Sequence, residues 1–304
     1  MYFIRPIAIT NAVLTASNVA EADAAEWLPV TAFTIGQTCM VTTTANGAAT
    51  ATHRIYVAQG STTGNDPTVD SGTNWVSTGF TNRFKMFDSV IQSKTTRTGG
   101  IEVDLTPAGY SSNLAVINVT GASVDVVMSS AADGEVYNQS FSLTSFSGIN
   151  DWYAYYFTPI VRKTDLVVSG LPLYSDAVIT VSINDDGAAS VGELVLGNFF
   201  EIGKSLNGAS FGIIDYSVKN TSADGTITIT QRPYAKRSDV DVLCQTARAA
   251  EINESLSRIR STPVVWVADE NNDVTILYGY FREFNTILSD YQSSIVSLQI
   301  EGLT

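Results

Sequence analysis

Asp224-Gly225-Thr226-Ile227-Thr228-Ile229-Thr230 is the stretch on which the fold turns. Asp-Gly supplies the positive φ that a tight hairpin needs, and the residues after it alternate strictly between apolar and polar. Alternation of this kind sends successive side chains to opposite faces of a strand, so Ile227 and Ile229 are expected to be buried and the threonines wet. The same pattern recurs on both sides. Asp133-Gly134 and Asp186-Gly187 are further turn signals, and strand-like runs occupy 101–105, 114–119, 124–128 and 178–183. Short strands at this spacing predict a β-sandwich.

Toward the C-terminal end the pattern changes. Ser238-Asp239-Val240-Asp241 reads as a helix start, with Ser238 as cap and Asp241 three residues on, as in a capping box. Val242, Ala249, Ile252, Leu256 and Ile259 would then form one inner stripe, and Pro263 the stop. Beyond it 263–268, 275–281 and 295–303 read as strands, the last alternating Val296, Leu298 and Ile300 with Ser297, Gln299 and Glu301. The expected architecture is mainly β: a jelly-roll-like β-sandwich body, a small inserted all-β module and one α-helix in the C-terminal region. The expected divisions are an N-terminal arm and linker over 1–26, the module over 27–80, the sandwich over 81–236, and a helix with strands over 237–304 that completes the body or forms an interface.

Composition agrees with that class. A chain of 304 residues, 44% hydrophobic and 10% aromatic, can bury a sizeable core, whereas charged residues at 15% fall well below the usual ~25%. Ser, Thr, Asn and Gly replace them, residues that suit strands and turns. A formal net charge of −13 repels phosphate backbones and anionic lipid headgroups, so neither nucleic acid nor membrane is an expected partner. Met1-Tyr2-Phe3-Ile4-Arg5-Pro6 lacks the basic and continuous apolar regions of a secretory signal, and no run of about 18 apolar residues follows. A soluble product made in a cytoplasm is expected. Cys39 and Cys244 lack CxxC spacing and read as small buried hydrophobes.

Catalytic patterns are few. His53 is the sole histidine, so any nucleophilic triad must use it and a two-histidine metal site is excluded. Gly208-Ala209-Ser210-Phe211-Gly212 matches the G-x-S-x-G elbow, but no helical pattern follows Ser210 and the histidine lies upstream, so strand and turn is the expected reading. Asp269-Glu270-Asn271-Asn272-Asp273 starts like a calcium loop, but Val274 holds the position of the turn glycine and Tyr280 that of the bidentate acid. A solvated hairpin turn is expected there. Paired carboxylates for glycoside hydrolysis cannot be picked from thirty acids by spacing alone. Tyr153, Tyr155, Tyr156 and Phe157, after Trp152, are expected to pack in a core or an interface. The chain is expected to be no enzyme and to use no cofactor or metal.

Two resemblances add to this. Trp27, Phe33 six residues later, Gly36, the Tyr-bearing run His53-Arg54-Ile55-Tyr56-Val57-Ala58-Gln59, and Gly64-Asn65-Asp66-Pro67 leading to Trp75 resemble the small chitin-binding type of carbohydrate-binding module. That resemblance implies sugar contact through Trp27, Tyr56 and Trp75, because flat aromatic faces stack on the C–H face of a pyranose. The second covers most of the chain. The module continuing into Thr81-Asn82-Arg83-Phe84-Lys85-Met86-Phe87-Asp88, then Phe211-Gly212-Ile213-Ile214-Asp215-Tyr216-Ser217, then 263–266, 278–280 and 297–303 are similar to phage tail structural proteins. It implies a subunit of the virion, in the tail tip, baseplate or a tail-associated ring. Its partners would be copies of itself, other tail proteins and host-surface glycan. A soluble glycan-binding adhesin is the alternative, and a depolymerase a third reading with no motif behind it.

Overall fold

The computed structural model describes residues 1–145, 149–159, 161–270 and 272–304. Two antiparallel sheets dominate it. The smaller orders its five strands Gly134–Ser142, Ser123–Ser130, Val178–Asn184, Ile101–Leu105 and Leu14–Ser17. The larger runs Leu166–Ser169, Asn113–Ile117, Glu193–Glu201, Tyr2–Pro6, Val264–Val267, Ile276–Leu288, Ser293–Gly302, Tyr234–Gln245 and Lys204–Ser205. A tenth strand, Ser210–Asp215, also pairs with Tyr234–Gln245.

The sandwich follows from strand periodicity. Along Ser123–Ser130 every second residue is buried, and Val124, Val126 and Met128 share one core with Leu114, Val116, Leu194 and Leu196 of the larger sheet. Each such side chain contributes roughly 1.5–3 kcal/mol on burial. Farther along the larger sheet, Val240, Val242, Trp266 and Leu298 pack with Ile252, Leu256 and Ile259 of the helix Ala249–Arg258 and its C-terminal cap. Ile4, Ala115, Ile117, Val195, Val265 and Tyr278 form a third core. Both faces of these strands are therefore enclosed, which explains unbroken apolar runs such as Leu114-Ala115-Val116-Ile117.

The larger sheet curls to enclose that third core. Lys236, on the strand Tyr234–Gln245, forms an ion pair with Asp165, next to the edge strand Leu166–Ser169 at the other end of the strand order. Its Nζ also donates to the carbonyls of Ile276 and Asp273, at 3.0 and 3.2 Å, while Asp165 accepts from the Asn118 N–H at 2.8 Å. A cavity of about 90 Å³ remains inside the curl, lined in part by Ile117, Tyr234 and Tyr278.

Four expectations need correction. The N-terminal piece is no arm: Tyr2–Pro6 lies between Glu193–Glu201 and Val264–Val267, with Phe3 and Ile4 both buried. A short run buried on both faces carries no alternation by which to recognise it. Ser238 does not start a helix, because Tyr234–Gln245 is a twelve-residue strand. Ser238, Val240, Val242 and Cys244 are buried at every second position, a period of two that outweighs the capping-box pattern. Only Ala249, Ile252, Leu256 and Ile259 of the proposed stripe belong to the helix and its cap. Asp186-Gly187 joins strands with different partners, since Val178–Asn184 pairs within the smaller sheet and Ala188–Val191 pairs with Thr95–Thr98. Asp224-Gly225 does make a hairpin, with Gly225 at φ +83°, but Val218–Thr221 and Ile227–Thr230 form a separate ribbon. Ile227 and Ile229 there are 62% and 65% exposed. Alternation assigned them to one face, but no second layer covers that face.

Candidate functional site

The small module holds three of the side chains that matter most. Thr38–Val41, Arg54–Ala58 and Trp75–Phe80 form an antiparallel sheet, with Ala25–Glu26 added in parallel to Thr38–Val41. Ala32–Phe33 pairs separately with Thr62–Thr63. These strands bring Trp27, Phe33, Cys39, Tyr56 and Trp75 into one core. Phe33 meets Trp75 edge to face at 5.0 Å, the Trp75 Nε1 donates to the Asn65 carbonyl at 3.0 Å, and the Tyr56 hydroxyl donates to Thr52 Oγ1 at 3.0 Å. Trp27, Tyr56 and Trp75 are 2%, 7% and 2% exposed. The residues expected to stack on sugar are thus brought together, but as the core of a domain too small to fold without them. The polar tips of Tyr56 and Trp75 are satisfied internally, and no ring face of the three is open to a pyranose. The exposed large apolar side chains of the module, Leu28, Val30, Ile35, Val69 and Val76, are aliphatic.

His53 sits where the module joins the body. Its Nδ1 lies 2.8 Å from Glu21 Oε1, its Nε2 is buried, and its ring stacks on Phe84 at 4.0 Å. Glu21 also accepts from the Thr81 hydroxyl and pairs with Arg83 at 3.2 Å. Burial opposes ionisation of Glu21, but hydrogen bonds from His53 and Thr81, together with the positive charge of Arg83, outweigh it and hold its pKa below the ordinary value. The arrangement fixes residues on both sides of the module to one carboxylate. Ser210, the serine of the G-x-S-x-G match, opens a strand of the larger sheet opposite Asp239 and is followed by no helix.

The calcium-like stretch disperses its acids. Glu270 accepts from Tyr2 and Ser169 at 2.7 and 2.8 Å, whereas Asp273 lies 3.9 Å from the Lys163 ammonium. Asn271 lies outside the described residues. Among the described residues no three His, Cys, Asp or Glu side chains converge. Cys39 and Cys244 are buried free thiols, and burial foremost, with the Glu26 charge second, pushes Cys39 up to about 12.

Glu193 is the strongly perturbed acid of the body. It is buried, accepting from the Ser89 N–H at 3.0 Å and from the Tyr278 hydroxyl at 3.4 Å. Burial pushes its pKa up to about 8, against the hydrogen bonds that favour its charged form. Sequence reasoning missed it, since its neighbours come from segments about a hundred residues away on either side.

A short helix, Trp152–Phe157, is the remaining feature, entered and left through the paired segments Thr144–Ser145 and Val161–Arg162. Trp152, Tyr153, Tyr155, Tyr156 and Phe157 are between 54% and 77% exposed. The run expected to pack in a core or an interface is thus outside the cores of this chain.

No family model and no curated protein sequence matches the chain. Among solved structures it is similar to the lectin domain of lectinolysin complexed with Lewis B antigen, at 16% identity over 38% of this chain and 82% of the other, with a TM-score of 0.27. A histidine mutant of that lectin domain, complexed with Lewis b, matches over the same shares at 18% identity and the same TM-score. Likenesses at that TM-score establish neither fold nor ligand for this chain.

Proposed function

We propose that this chain is a structural subunit of a bacteriophage tail, in its tip, baseplate or an associated ring, and works by packing against copies of itself and other tail proteins. The observation that carries the reading is a β-sandwich body that leaves apolar side chains uncovered at several places, among them the ribbon with Ile227 and Ile229 and the aromatic tip Trp152–Phe157. Uncovered apolar patches with polar surroundings mark contact surfaces. The sequence resemblance to tail structural proteins supports the same reading. Its segments 211–217 and 263–303 lie largely on strands of the larger sheet.

Host-surface glycan is a secondary contact in this proposal, made by outward surfaces and not by the enclosed Trp27, Tyr56 and Trp75. Mass spectrometry of purified particles tests the reading, with this chain expected alongside known tail proteins. Particles that lack it while those proteins are detected overturn it. A soluble adhesin would instead remain outside particles and bind glycan arrays as the full chain.

A further inference from the structure

We propose that the helix Trp152–Phe157 is a self-association element whose aromatic side chains seat against a second copy of this chain. At about 100° per residue, the rings at 152, 153, 156 and 157 sweep one side of the helix and Tyr155 occupies the other. A helix apolar on all sides is stable only when surrounded. Its ring contacts are with one another: Trp152 with Tyr156 at 6.5 Å, Tyr153 with Phe157 at 4.7 Å, and Tyr155 with Tyr156 at 5.4 Å. Such pairs preorganise the tip and leave its outward area free.

Area and charge select the occupant. Aromatic side chains bury about 150–250 Å² each, so five at these exposures offer on the order of 500–800 Å² per copy, near the ~800 Å² per partner of a stable interface. Copies of a chain with a net charge of −13 repel one another over most of their surface. Between Glu135 and Arg162, however, Asp151 is the only charged residue, so the tip carries little of that repulsion. An isologous contact then matches the patch to itself in both extent and character.

The inference rests on the assembly reading above but is tested apart from it: particle composition asks whether the chain is in the tail, whereas the purified full chain shows whether copies meet through the tip. Trp27, Trp75 and Trp266 are buried and Trp152 alone of the four tryptophans is exposed, which makes its fluorescence a local probe. Sedimentation velocity across the micromolar range is expected to show association, with Trp152 emission moving to the blue and its quenching by acrylamide falling over the same concentrations. Trp152→Ser combined with Tyr156→Ser is expected to weaken association at least about tenfold without changing the melting profile, while Val69→Ser, at an exposed position of the module, leaves it unchanged. A wild-type chain that stays monomeric, or an association midpoint that the double variant does not move, overturns the proposal. So does Trp152 quenching that stays constant as the oligomer forms, or a blue shift that appears only with phosphatidylcholine vesicles. The quenching measurement uses the unaltered chain and so stands even if the double variant fails to fold.

Discussion

Trp27, Phe33, Tyr56 and Trp75 in the module and Trp152, Tyr153, Tyr155, Tyr156 and Phe157 in the tip are drawn from the same residue types, yet the first four are enclosed and the last five are not. Spacing accounts for the difference. The module distributes its rings along about fifty residues, so separate strands can bring them to one point. The tip crowds five rings into six residues, and a single short helix cannot turn all of them toward one side. Aromatic content alone therefore says little about role; the number of chain segments that supply the rings says more.

The sharpest test of that contrast is truncation of an enclosed ring. Trp75→Ala is expected to cost about 3–5 kcal/mol and to unfold the module, read by denaturant titration with circular dichroism. A loss near zero would put Trp75 on the same footing as the tip. Next in size is the joint beneath the module. Glu21→Ala is expected to cost about 2–3 kcal/mol, because His53, Thr81 and Arg83 lose their common charged acceptor. The folded Glu21 pKa is depressed, so its contribution is present above the ordinary value of 4.5 and is lost as pH falls through the folded pKa. Melting curves in acid should show that decline in the wild type and not in Glu21→Gln.

Glu193 extends the comparison from rings to charge. Its folded pKa is raised, so the stability it contributes is complete below 4.5 and is lost as pH rises through about 8. Glu193→Gln should flatten that loss, and an unchanged pH profile would show that Glu193 is not its source. The smallest expected effect is at the tip: Trp152→Ser should change the stability of the dilute chain by no more than about 0.5 kcal/mol. A larger loss would mean that the tip packs on its own body.

Much of the fold could be read from alternation. Ser123–Ser130 and Ser293–Gly302 bury every second residue as their sequences suggest, and Ala249, Ile252 and Leu256 face inward from the helix as their spacing suggests. Periodicity reports which side chains share a face and is silent on what lies opposite. Ile227 and Ile229 share a face that remains open, whereas Phe3 and Ile4 occupy opposite faces that are both closed. The candidate site was less accessible for the same reason. Trp27, Tyr56 and Trp75 were recognised as a group by their order, but whether a ring stacks on sugar or on a neighbouring ring depends on contacts made across strands.

The placement of Tyr2–Pro6 governs the order in which the protein can be made. Tyr2 is paired with Glu201 on one side and Val267 on the other, so during synthesis this strand waits for its second neighbour until Val267 has emerged. Pairings this remote in sequence close slowly. Closure of the central sheet is thus a late event in biosynthesis, and until then Phe3 and Ile4 stay exposed on the nascent chain, open to a chaperone.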